Sequence, residues 1–232
     1  YDANGILMDQ FRDPLHVYAA FEDIPPEFVH SLLFVENKNL LGDHAATLNP
    51  AIEWPRLLRA TVGHVTGMGD GAGASTLATQ LEKFKHSPDG LTRNARQKFQ
   101  QMLTASTRPY EHGPDTQARS RAIALEYING MPLSSVSTGE EIHGLADGLD
   151  RWMGEGFEDA NALMRKPEKD LSDAEMARKG EIYRKALSLI MSVTMPSAVL
   201  NEKAMVVSED AGGKKIKGRE ALDLRVRKYL PL

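Results

Sequence analysis

The chain has 232 residues, 41% hydrophobic and 26% charged, which suits one large domain or two small ones with a real buried core. A net charge of -4 argues against general nucleic-acid binding, and the absence of cysteine excludes disulfides, thiol catalysis and thiolate-held zinc. No run approaches the roughly 20 apolar residues of a membrane span and no signal peptide is visible. The chain opens on Tyr1 rather than Met, so an excised domain with an anchor upstream is expected.

The opening residues 1–20 combine Asn4-Gly5 turn chemistry with short apolar stretches and read as one or two short strands. Ile24-Pro-Pro-Glu27 then starts a helix, because proline is tolerated in a first turn. Phe28, Leu32, Leu33 and Val35 form its apolar side, and Glu36 comes near its end. A carboxylate against so apolar a surface tends to hold its proton more tightly, which suits a general base; the plain alternative is a helix-end glutamate facing water. Residues 37–49 look irregular, 54–65 read as an amphipathic helix, and a glycine-rich loop follows (Gly69, Gly71, Gly73).

That loop runs into Ser75 and Thr76 and then into helical spacing. A Ser or Thr side-chain oxygen caps a helix N-terminus, whose free N–H groups and positive dipole end also seat a phosphate. Lys83, about two turns on, adds a point charge. Alone, residues 73–83 are a capped helix after a loop. Eight Lys/Arg between Lys83 and Arg121 outnumber the acidic residues there, and the stretch from Lys214 to Lys228 is basic too. Such a face suits an anionic ligand, although solvated helix faces are commoner.

Further helical patterns cover 91–106, 115–129, 140–153 and 172–195, so the chain reads as mostly α with little sheet. The seven histidines show no metal-ligand spacing, so no residue is assigned to a metal. Met191 and Met195 fit a core stripe, Trp152 an aromatic at a helix end, and Asn129 a helix C-cap.

Five short blocks in order carry a resemblance to the peptidoglycan glycosyltransferase domain, glycosyltransferase family 51, of class A penicillin-binding proteins and monofunctional transglycosylases. Tyr1-Asp-Ala-Asn-Gly5 looks like the family's Tyr-Asp-x-x-Gly segment. Ile24-Pro-Pro with Leu32-Leu-Phe-Val-Glu-Asn37 is similar to its "IPP…AVEDxxF" block. Residues 73–83 match "GGSTITQQLAK", keeping Gly73, Ser75, Thr76, Gln80, Leu81 and Lys83. Glu126-Tyr-Ile-Asn129 resembles the "YLN" block, and Trp152-Met153-Gly154 stands where the family has "YFG".

The resemblance implies a lysozyme-like, mostly helical fold with a small mobile jaw beside the membrane. The blocks suggest a core over 1–165, with the jaw at about 37–73, and a helical extension of the same domain over 166–232. It further implies polymerisation of lipid II: the first motif's glutamate, here Glu36, acts as base on the acceptor sugar hydroxyl, and undecaprenyl pyrophosphate leaves. Asn37, Ser75, Thr76, Gln80, Lys83 and Asn129 then fall on the substrate cleft, with Lys83, Arg93 and Lys98 at basic positions near the pyrophosphate. A divalent metal (Mg or Mn) would assist, with no organic cofactor. The nascent glycan strand, the periplasmic face of the bacterial inner membrane and other cell-wall synthesis proteins would be partners.

Departures from the pattern are specific. The family's Glu-Asp pair reads Glu36-Asn37, its phenylalanine reads Leu40, and its second functional glutamate falls on Gln101, the second catalytic position that the resemblance implies. Glutamine carries no charge, ligates metals poorly and cannot accept a proton as a base. Two alternatives therefore accompany the polymerase: a glycan- or lipid-pyrophosphate-binding pseudoenzyme of the same fold, and a lysozyme-like lytic enzyme working through Glu36.

Overall fold

In a computed structural model the described residues are 14–38, 40–41, 49, 77–86, 103–111, 113, 116–137, 139–200, 206–209 and 215–229. They form helices α1 (Pro26–Glu36), α2 (Leu77–His86), α3 (Gln117–Gly130), α4 (Leu145–Met153), α5 (Phe157–Arg165), α6 (Asp173–Ser192), α7 (Pro196–Val199) and α8 (Gly218–Tyr229). Alongside them stand short 3-10 turns and two antiparallel hairpins, β1 (Pro132–Ser135) with β2 (Glu141–His143) and β3 (Val206–Glu209) with β4 (Lys215–Lys217). The protein is mostly α with little sheet. Among the described residues no helix is long and apolar enough to cross a membrane.

The chain divides into two compact units, Tyr1–Ser31 with Ile128–Leu232, and Leu32–Tyr127. The first is built on α6, against which α4, α5 and α8 pack. Ile182, Ala186, Leu189, Ile190 and Val193 are buried at helical spacing, each large side chain contributing about 2 kcal/mol of hydrophobic stabilisation. The helix starts where Ser172 caps it: Ser172 Oγ accepts from the Glu175 backbone N–H, and Glu175 Oε2 accepts from the Ser172 N–H at 2.8 Å.

In the same unit the β1–β2 hairpin carries a register irregularity at Ser134, whose φ of +66° is rare for a side-chain-bearing residue. Gly144 then turns the chain into α4 with φ +81°, and a Cβ there would stand 2.6 Å from the Asn129 carbonyl oxygen, so only glycine fits. That turn corrects the helix expected over 140–153: Glu141, Ile142 and His143 pair as a strand, and the helix begins at Leu145. Helix α5, the two hairpins and α8 are elements that the spacing did not mark. The expected strands of residues 1–20 are absent from 14–20, and residues 1–13 lie outside the described set.

The second unit holds the last turns of α1, α2, a helical turn at 103–107 followed by a 3-10 turn at Arg108–Tyr110, and most of α3. Its core includes Leu32, Leu40, Leu77, Leu81, Ala105, Ile123 and Tyr127. Arg108, itself buried, donates through Nη2 to both carboxylate oxygens of Glu126, at 2.9 and 3.2 Å. Most of the jaw region 37–73 and the helix expected over 54–65 lie outside the described residues.

Candidate active site

Helix α1 delivers Glu36 by periodicity. Phe28, Leu32 and Glu36 follow one another at four-residue spacing, so the apolar stripe that buries the helix carries its last member inward as well. Glu36 is 6% exposed and Asn37 is fully buried. As the final residue of α1, Glu36 sits at the negative end of the helix dipole, where an anion is disfavoured. A buried carboxylate there needs specific donors.

Helix α2 supplies one. Leu77, Ala78 and Leu81 anchor its buried side, and Gln80 sends Nε2 to Glu36 Oε2 at 2.5 Å. Helix α3 supplies the next partner: the Tyr127 hydroxyl donates to Gln80 Oε1 at 2.8 Å. Tyr127 is wholly buried, and burial first, then the Glu36 charge, pushes its hydroxyl well above the ordinary tyrosine range. It therefore stays protonated and acts as a donor. All three residues belong to the second unit.

In the first unit Asn129 grips the backbone of Tyr18 with both ends of its amide: Oδ1 accepts from the Tyr18 N–H at 3.0 Å and Nδ2 donates to the Tyr18 carbonyl at 2.9 Å. Trp152 and Met153 close α4 and line a cavity of about 270 Å³ with Arg184, Arg219 and Leu222. Ser75, Thr76, Arg93, Lys98 and Gln101 lie outside the described residues, as does the side chain of Lys83. Among the described residues no group of three or more His, Asp or Glu could hold a metal ion.

Of the expected site residues the structure thus joins Glu36 and Gln80 directly and adds Tyr127. The only sequence signal for Tyr127 was its place beside Asn129 in the Glu126–Asn129 block; its hydroxyl partner stands 47 positions away.

A mostly helical domain whose buried glutamate accepts from an amide that a phenol in turn engages fits the lysozyme-like class of glycan-processing folds. Residues 4–209 match the model of the family described as Transglycosylase, and the chain belongs to that family, the peptidoglycan transglycosylase domains of glycosyltransferase family 51. No curated protein matches it. Membership makes it a glycosyltransferase domain of peptidoglycan synthesis with extracytoplasmic action.

Proposed function

We propose that the domain polymerises lipid II, with Glu36 as general base. The supporting observation is the chain of hydrogen bonds from Tyr127 through Gln80 to Glu36, which draws together residues of three of the blocks that resemble the family. An N–H donated to a carboxylate favours its charged form, and a charged carboxylate accepts protons rather than giving them. Glu36 takes the proton of the acceptor sugar hydroxyl as that oxygen bonds to the anomeric carbon of the growing strand. The bond from that carbon to the pyrophosphate oxygen breaks, and undecaprenyl pyrophosphate carries away the electron pair. Pyrophosphate is a stable anion and needs no proton to depart, so one base suffices. A lytic enzyme must instead protonate a sugar alkoxide, a task for a carboxylic acid.

In this reading Ser75, Thr76, Lys83, Arg93 and Lys98 supply N–H and ammonium or guanidinium donors to the departing pyrophosphate. A divalent Mg or Mn ion would add positive charge at the leaving group when bound. The test is purified protein with lipid II, detergent and Mg or Mn. Polymeric glycan supports the reading. Release of soluble muropeptides from sacculi supports the lytic alternative, and binding of moenomycin without any turnover supports the pseudoenzyme. A Gln101→Glu variant run alongside should gain rate.

A further inference from the structure

We propose that Tyr127 is a positioning residue that locks the Gln80 amide with its N–H toward Glu36. The inference rests on reading Glu36 as the base. A glutamine amide has a donor end and an acceptor end, and its two orientations are nearly equal in shape. The neighbours decide between them. Tyr127 donates to Oε1 at 2.8 Å, which leaves Nε2 to donate to Glu36 Oε2 at 2.5 Å. The reversed amide would set its oxygen against the carboxylate and lose both bonds as drawn. Ionised Glu36, Gln80 and protonated Tyr127 therefore support one orientation together.

Once Glu36 has taken a proton the opposite orientation becomes available, with its O–H donating to Gln80 Oε1 and the amide N–H turning to the Tyr127 oxygen. The lock thus favours the state of Glu36 that is ready to accept a proton. Two charged residues adjoin this triad in sequence: Lys38, whose Nζ stands 4.1 Å from the Phe34 ring centroid, and Glu126, which Arg108 engages. Thr79, on α2 beside Gln80, carries no charge. Tyr127→Phe removes the lock and keeps the ring that fills the core, so packing and positioning separate cleanly.

The experiment is a carbon-13 titration of the Glu36 carboxyl in the folded protein, which needs no turnover. Loss of a donated N–H disfavours the anion, so Tyr127→Phe should raise the Glu36 midpoint by about one pH unit. Gln80→Leu should raise it at least as far, and the double variant no further than Gln80→Leu alone. The acidic limb of the kcat profile should move with the titration. An unchanged midpoint in Tyr127→Phe, or equal and additive shifts, overturns the lock; if Tyr127→Phe does not fold, an unchanged midpoint in Gln80→Leu overturns it instead. The two readings fail separately: turnover by Glu36→Gln with a shifted midpoint in Tyr127→Phe removes the base and keeps the lock. Loss of turnover in Glu36→Gln with no shift in Tyr127→Phe does the reverse.

Discussion

Asp147 and Glu36 are almost equally buried, at 7% and 6% exposure, but they occupy opposite ends of their helices. Asp147 lies in the first turn of α4, where the dipole and the unpaired N–H groups welcome a negative charge. It accepts the backbone N–H groups of Leu15 at 2.7 Å and His16 at 2.9 Å, and His16 Nδ1 stands 3.0 Å away. Its charge is committed to fastening residues 15 and 16 to α4. Glu36 closes α1, where the dipole opposes its charge, and its partners include a neutral amide with a neutral phenol behind it. One carboxylate is satisfied as an anion by backbone geometry. The other sits where the anion is costly and accepts from a side-chain amide that can turn, which suits a group that must change protonation state.

Stability measurements sharpen the contrast. Asp147→Ala should cost the most, about 3 kcal/mol in urea unfolding, because two backbone donors lose a charged acceptor. Glu155 should follow. It is buried and engages both Arg178 and Lys185, and Glu155→Ala should cost about 2 kcal/mol, less than a fully buried pair because Arg178 is half exposed. A smaller effect belongs to Glu175, whose carboxyl is lowered to about 2 by hydrogen bonds from Lys166, then from the Ser172 N–H and hydroxyl. Its folded value lies below its unfolded one, so its contribution is full above about 4.5 and is lost as pH falls toward 2. A Glu175→Gln variant should show a flatter loss of stability across that window. Least of all should be Glu36→Gln, within about 1 kcal/mol of the parent, since an amide there keeps its shape and can still accept the Gln80 N–H.

How far the sequence discloses this depends on distance along the chain. Helix α6 was legible because Ser172 and Glu175 mark its start and the buried side chains repeat at helical spacing. Its end was expected at Met195, three residues late, because Met191 and Met195 continue the apolar spacing into the turn that Pro196 follows. Residues 140–153 mislead because a three-residue strand is too short to display alternation, and the Asn129 backbone that leaves Gly144 no room for a Cβ is brought there by tertiary packing. Helix α5 hides its buried face in only Ala160 and Met164, four apart, and α8 in Gly218, Leu222 and Val226 at the same spacing among charged neighbours. At the site, Glu36 was readable from the apolar stripe that ends in it, and Gln80 from its block. The Tyr127 bond was not, because a hydroxyl leaves no periodic trace and its partner is set by tertiary packing.

Whether Glu36 takes the proton is read from the initial rate of glycan formation from lipid II by Glu36→Gln beside Asp147→Ala, at a temperature where both are folded. A general base contributes about 10²–10⁴ in rate. Glu36→Gln should lose that much while unfolding like the parent, and Asp147→Ala should polymerise close to the parental rate despite its lower stability. Polymerisation by Glu36→Gln within a few-fold of the parent would contradict the assignment.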